Sequence, residues 1–249
     1  RIAAGGIALG VGVRIARGVE GRDRHLTGLI HRHLAMLEID EQPVEAGDLH
    51  QLGDLDAGIA PIVRVPMGQL TMGTRCLDGG ALGIVMPHVD TVEEARAIAD
   101  AFRYPPVGHR SIVGGLAQIQ YASLPIADTA RVINAATLVT VMIETPRAVE
   151  NAAAMAAVPG IDMLLMGCSD LSLEMGIPGE FEDPRMVSAI EKVIAACKQH
   201  GKIPALGGIY AEPLLTRYAK LGLQAALAGN DLPLLLGAAT ARVKALRTT

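Results

Sequence analysis

Tryptophan is absent from this 249-residue chain, phenylalanine occurs twice and tyrosine four times. Half of the residues are apolar, so the core must be assembled from Ala, Val, Ile, Leu and Met. That composition suits parallel strands covered by helices and speaks against an antiparallel sandwich with aromatic anchors. Cysteine is also scarce: Cys76, Cys168 and Cys197 lie far apart, their number is odd, and no CxxC pair occurs. A disulfide framework is thereby excluded, and a reducing cytoplasm is the expected compartment. Neither sign of charge dominates. With 22 basic and 26 acidic residues the formal net charge is −4. Without a basic patch or an aromatic platform, no nucleic-acid partner is expected. No apolar run approaches the ~18 residues of a membrane helix, so no membrane partner is expected either. The apolar, glycine-rich stretch from Arg1 to Val13 lacks a polar cleavage region and reads as a first strand rather than a leader.

Short apolar runs alternate with amphipathic segments along the whole chain. Strands are predicted near Gly6–Val13, Leu34–Asp40, Pro61–Val65, Leu82–Pro87, Leu138–Glu144, Met163–Gly167, Ile203–Gly207 and Ala225–Ala228. Between them, Thr91 with Glu94 has capping-box spacing. Pro146 sits where a first helical turn accepts it. Asp183-Pro184 opens a helix that Gly201 stops. Alternating β and α units of this length predict one (β/α)₈ barrel, an α/β fold, over residues 1–249 as a single domain. One stretch breaks the rhythm. Tyr104 to Asn134 carries Pro105-Pro106, Gly108 and Gly114-Gly115, and reads as a long functional loop followed by a helix near Ala127–Asn134.

Catalytic groups of such barrels stand at the C-terminal ends of strands. Three apolar runs end in charge: Val63-Arg64, Ile143-Glu144 and Met166-Gly167-Cys168-Ser169-Asp170. Glu144 and Asp170 are about one βα repeat apart and belong on neighbouring strand ends. Two carboxylates without a Cys or His cluster suit a hard, oxygen-preferring ion such as Mg²⁺ or Mn²⁺. The competing reading makes each a cap of the helix that follows. The planar guanidinium of Arg64 suits a carboxylate or a developing oxyanion, or else a structural ion pair. The backbone of Gly167, Cys168, Ser169 and Asp170 would present N–H groups at a helix start. Cys168 reads as a buried spectator thiol.

Taken together, several motifs resemble the HpcH/HpaI family of metal-dependent class II pyruvate aldolases. They are Pro61-Ile-Val-Arg64-Val-Pro66, Gly83-Ile-Val-Met-Pro-His88-Val, Thr91-Val-Glu-Glu-Ala95, Arg103-Tyr-Pro-Pro106 with Gly108-His-Arg110, Ile143-Glu144-Thr145, and Gly160-Ile-Asp162 leading into Gly167-Cys-Ser-Asp170-Leu-Ser172. The likeness runs from about Pro61 to the C-terminus. It implies that Glu144 and Asp170 ligate a divalent metal, Mg²⁺ or Mn²⁺ with Co²⁺ as a substitute. Arg64 would contact the 2-oxo oxygen, and Gly167, Ser169 and Asp170 would hold the substrate carboxylate. The implied enzyme is an aldehyde-lyase. It would cleave a 4-hydroxy-2-oxo acid to pyruvate and an aldehyde through a pyruvate enolate held on the metal, with no Schiff-base lysine. The resemblance also implies a homo-oligomer, a hexamer built as a trimer of dimers, with the last helix on a neighbouring subunit; the apolar Leu232–Leu246 segment fits that role.

One motif departs from the family. An Asp-x-Glu-His-x-Pro sequence usually follows strand two, and its His acts as acid–base. Here the stretch is Glu38-Ile39-Asp40-Glu41-Gln42-Pro43. Glu41 or Gln42 falls where that His would be, depending on a one-residue shift; Glu41 then becomes the candidate catalytic base, with His31, His33 and His88 as the histidines that would otherwise reach the site. Two further readings follow from the same departure: an oxaloacetate-type decarboxylase or diverged enolate-forming enzyme that needs no such base, and a non-catalytic 2-oxo acid binder. The aldehyde half of a substrate would be set around Gly108–Tyr121 and by a neighbouring subunit, with Arg110 and Arg131 as candidate cations or else as solvated surface arginines.

Overall fold

In the computed structural model, Gly10–Val11, His33–Glu38 and residues 59–247 are described. Eight strands line up in chain order: β1 (Gly10–Val11), β2 (His33–Glu38), β3 (Ile59–Arg64), β4 (Gly83–Met86), β5 (Leu138–Ile143), β6 (Met163–Gly167), β7 (Ile203–Gly207) and β8 (Ala225–Ala226). The helices are α1 (Leu70–Asp78), α2 (Val92–Phe102), α3 (Ile126–Ala136), α4 (Pro146–Ala156), α5 (Cys168–Glu174), α6 (Pro184–His200), α7 (Glu212–Leu221) and α8 (Asp231–Arg247).

The closed (β/α)₈ barrel expected from the sequence is not what forms among these residues. β1 is two residues long and runs antiparallel to β2, whereas closure needs a parallel first strand paired with the eighth. β8 is also two residues long and pairs with β7. Such short ends supply too few ladder bonds to seal a ring. Every pairing from β2 to β8 is parallel. The architecture is therefore an open α/β half-barrel. Six of its parallel strands, β3 to β8, have described side chains, and eight helices accompany them.

Strand alternation separates two cores. Val63, Ile84, Met86, Val141, Ile143, Leu164, Met166 and Leu206 pack with the helices. Ala60, Ile62, Val85, Met142, Met163, Leu165, Ala205 and Ala225 pack with one another on the face without helices. This parity decides where the strand-end residues point. Arg64 continues the Ala60–Ile62 series, Glu144 the Met142 series and Gly167 the Met163–Leu165 series. All three belong to the helix-free face.

The local signals behave as their chemistry requires. Thr91 Oγ1 accepts from Glu94 N at 3.2 Å, and Glu94 Oε2 accepts from Thr91 N at 2.9 Å. Thr145 caps α4 by accepting from Ala148 N. Gly201 ends α6 at φ 64, where a Cβ would be strained. α8 differs from the rest, because it buries none of its residues in this chain.

The long connection after α2 is fixed at the opposite end of the sheet from the strand C-termini. Gly108 packs against the backbone of Ala99, Asp100 and Arg103. Gln118 donates to the carbonyls of Leu77 and Ala81, at the end of α1 and before β4. The helix after the loop runs somewhat longer than the sequence indicates, from Ile126 to Ala136.

Candidate metal and substrate site

Parallel pairing sets Arg64 beside Val85, Ile143 beside Met166 and Gly167 beside Gly207. The C-terminal rim of β3, β5 and β6 thus carries Arg64, Glu144 and the start of α5 in one row. Glu144 is buried at 2% exposure, whereas Asp170 and Ser169 are exposed and Arg64 is half-buried.

Burial pushes the Glu144 carboxyl above its ordinary range, because an apolar setting penalises the charged form. The His88 backbone N–H and the nearby His88 and Arg64 charges oppose that shift, and the negative charge of Asp170 adds to it. A buried carboxylate beside a second one is a costly arrangement unless a cation joins them. The space agrees. A Cβ on Gly167 would stand 2.7 Å from both Cγ and Oε1 of Glu144, so the absent side chain makes the cradle in which Glu144 lies. Two oxygen donors of this kind suit a hard divalent cation completed by water or substrate oxygens. No group of three or more His, Cys, Asp or Glu side chains placed to hold a metal ion occurs among the described residues.

His88 was one of three histidines that the sequence left open, and the structure sets it against Glu144. Its backbone N–H donates to Glu144 Oε2 at 2.7 Å. Its ring Nδ1 lies 3.5 Å from the same oxygen. The residue has φ 50, a left-handed conformation rare for a histidine. Next to it, Asp90 ties the loop after β4 to α4: Thr145 Oγ1 donates to Asp90 Oδ1 at 2.6 Å, and Asn151 Nδ2 donates to its carbonyl at 2.8 Å. The sequence pointed to neither contact, since both depend on β4 and β5 being neighbours. On the outer side of His88 a cavity of about 310 Å³ opens between α1 and α2, lined by Met67, Leu70, Met86 and Ile98 among others.

Other candidates fall elsewhere. Glu41, Gln42 and His31 lie outside the described residues, as does the side chain of His33. Arg110 is not at the rim. Its side chain is fully buried, donates to Asp78 at 2.7 Å and stacks 4.7 Å from the Tyr104 ring centroid. Arg131 is exposed and pairs with Asp128 one helical turn away. The loop read as setting substrate choice therefore contributes no residue to the rim of its own chain. Cys168 is buried, and burial pushes its thiol up to about 12, so it is an inert packing residue.

A family model described as HpcH/HpaI aldolase/citrate lyase matches residues 43–236. A 4-hydroxy-4-methyl-2-oxoglutarate aldolase of Hapsidospora irregularis is 45% identical over 172 residues, 68% of this chain and 63% of that protein. A protein of the same description from Chaetomium globosum is 45% identical over 66% of this chain and 61% of its own length. The match thus spans less than two thirds of both fungal relatives. A hydroxypyruvate/pyruvate aldolase of Delftia acidovorans is 35% identical over 76% of this chain and 70% of its own. Among solved structures, an HpcH/HpaI aldolase from Desulfitobacterium hafniense superposes with a TM-score of 0.79 at 25% identity, covering 87% of this chain and 84% of that one.

Proposed function

The chain belongs to the HpcH/HpaI aldolase/citrate lyase family, and from that premise we propose that it is a single-domain, divalent-metal-dependent aldehyde-lyase releasing pyruvate from a 4-hydroxy-2-oxo acid. The observation that carries this reading is the row of Arg64, Glu144 and Gly167 on one face at the rim of β3, β5 and β6. The names of the relatives, each a 2-oxo acid aldolase, support the substrate class.

Glu144 and Asp170 would hold the cation, which when bound would supply positive charge against the 2-oxo oxygen of the substrate. Arg64 presents its guanidinium to the same oxygen. The backbone N–H groups of Ser169 and Asp170, with Gly167 leaving room, receive the substrate carboxylate. Cleavage of the C3–C4 bond leaves its electron pair on C3, delocalised toward the 2-oxo oxygen that Arg64 faces. The 4-hydroxyl proton passes to a base, a part assigned here to Glu41, and C3 regains a proton to give pyruvate. The three cysteines are free and buried, which supports a cytoplasmic setting. No helix among the described residues is long and apolar enough to cross a membrane. The exposed leucines 232, 235 and 236 of α8 support a homo-oligomer, with a hexamer as the expected size.

Pyruvate release from 4-hydroxy-2-oxo acids tests the reading. The expected result is activity that EDTA removes, that Mn²⁺ or Mg²⁺ restores, and that Glu144→Gln lowers by roughly 100-fold or more. In the absence of metal, Glu144→Gln should melt at or above the wild-type temperature, because it removes a buried charge that the fold disfavours. Release that is insensitive to EDTA, or none with either metal, would overturn the proposal.

A further inference from the structure

We infer that Asp90 is a positioning residue for Glu144. It locks the loop after β4 to the start of α4, so that the His88 N–H holds one carboxylate oxygen and the other is left for the cation. For the cation this rests on the metal reading above; for the carboxylate it stands on contacts within the chain. Glu144 Oε2 is engaged from two sides, by the His88 N–H at 2.7 Å and by the His88 ring Nδ1 at 3.5 Å. Oε1 lies on the Gly167 side, 2.7 Å from where a Cβ on that glycine would stand. The contact with His88 thus decides which oxygen is offered.

His88 presents its N–H from φ 50, a conformation that persists in a histidine only where the surroundings fix it. Asp90 supplies the fixing. Thr145 Oγ1 donates to Asp90 Oδ1 at 2.6 Å, and Asn151 Nδ2 donates to the Asp90 carbonyl at 2.8 Å. Both partners belong to α4. Thr145 follows Glu144 directly and caps that helix, its Oγ1 accepting from Ala148 N at 3.0 Å. The hydroxyl has a single proton, and that proton goes to the Asp90 carboxylate. Donor and acceptor of the His88–Glu144 bond are therefore both referred to the first turns of α4, Glu144 through the chain and His88 through Asp90. The start of α2 does not need this tie. Its capping box uses Glu94, Thr91 and the backbone of Asp90, whatever side chain stands at position 90. A residue that served only to open α2 would have no use for a carboxylate aimed at α4.

The test compares the full chain with Asp90→Ala, which removes the acceptor, and with Asp90→Asn, which keeps an oxygen for Thr145. In the metal-free protein, nuclear magnetic resonance should show the His88 amide proton exchanging about tenfold faster or more in Asp90→Ala. The Val139 amide, held by the Asp162 carboxylate at the other end of the sheet, should exchange as in the wild type. Calorimetric titration should show Mn²⁺ binding weakened roughly 10- to 100-fold in Asp90→Ala and less than about threefold in Asp90→Asn. Should Asp90→Ala fail to fold, Asn151→Ala removes the second tie and is read in the same way. A lower melting temperature with His88 exchange and Mn²⁺ affinity at wild-type values would make Asp90 merely structural. Asp90→Asn as impaired as Asp90→Ala would show that the Thr145 contact is not the route. Either result overturns the inference. A wild type that binds no Mn²⁺ removes the cation reading, and exchange of the His88 amide then decides the role of Asp90 by itself.

Discussion

The two ends of the sheet hold their charges in opposite ways. Below the strands, Arg103 is 96% buried yet fully engaged: its Nε donates to Gly160 O at 3.0 Å, its Nη1 to Asn134 O and Thr137 O at 2.6 and 2.9 Å, and its Nη2 to Asp162. Asp162 in turn accepts from Val139 N at 2.7 Å. Arg103 and Asp162 each have an opposite charge and backbone partners, and the pair joins α2, α3, β5 and the entry to β6. At the rim, Glu144 is as deeply buried, but its neighbour Asp170 repels it. That contrast supports the proposed reading, in which the lower charges serve folding and the Glu144 rim serves a ligand.

The strongest way to break that comparison is to remove Arg103. Arg103→Met leaves the Asp162 carboxylate without its charge partner while three carbonyls lose donors. The expected cost is about 3–5 kcal/mol, seen as a melting temperature lower by roughly 10 °C or more for a chain of this size. Metal affinity of the fraction that remains folded should be unchanged. A loss below about 1 kcal/mol would mean that the lower network is no more structural than the rim.

Gly167→Ala sharpens the comparison from the other side. The backbone there has an ordinary φ of −84, so strain at position 167 is not the issue. The new methyl would meet Glu144 Cγ and Oε1 at 2.7 Å and push the carboxylate out of its cradle. Overpacking of this kind costs about 1–3 kcal/mol, a smaller stability loss than for Arg103→Met. The loss of metal-dependent pyruvate release should exceed that stability change. A variant with wild-type turnover would show that Glu144 need not lie where it does.

Most of this contrast was legible in the sequence at the rim and almost none of it below. Arg64, Glu144 and Gly167 each end an apolar run, and side-chain alternation alone sets them on one face. The capping box at Thr91 and the stop at Gly201 are local events that depend on a few consecutive residues. Arg103 and Arg110 also stand in quoted motifs, but their partners at Asp162 and Asp78 are remote in sequence. Nothing in the motif tells a buried structural arginine from a substrate cation or a solvated one, and only the fold shows Arg110 paired with Asp78. The same limit applies to closure. Strand count and spacing fit eight βα units, but a ring depends on the pairing of its first and last members, which are here two residues each. The contact of His88 with Glu144 likewise depends on parallel pairing, which brings β4 beside β5.

The smallest effect separates burial from location. His109 and Asp100 also lie at the lower end, and they are joined by a short hydrogen bond, but both are exposed, the histidine at 84%. The Asp100 side chain, through that bond and its charge, raises the His109 pKa above the ordinary 6.5. A histidine raised on folding contributes stability that is full below its unfolded pKa and fades as the pH climbs through the folded value. Exposure and salt reduce that contribution to little. Nuclear magnetic resonance titration should therefore find His109 above 6.5 in the wild type and back near it in Asp100→Asn, with little change in melting temperature between pH 6 and 8. A melting loss in Asp100→Asn as large as that of Arg103→Met would show that position below the sheet, and not burial with complete pairing, is what makes a charge structural in this protein.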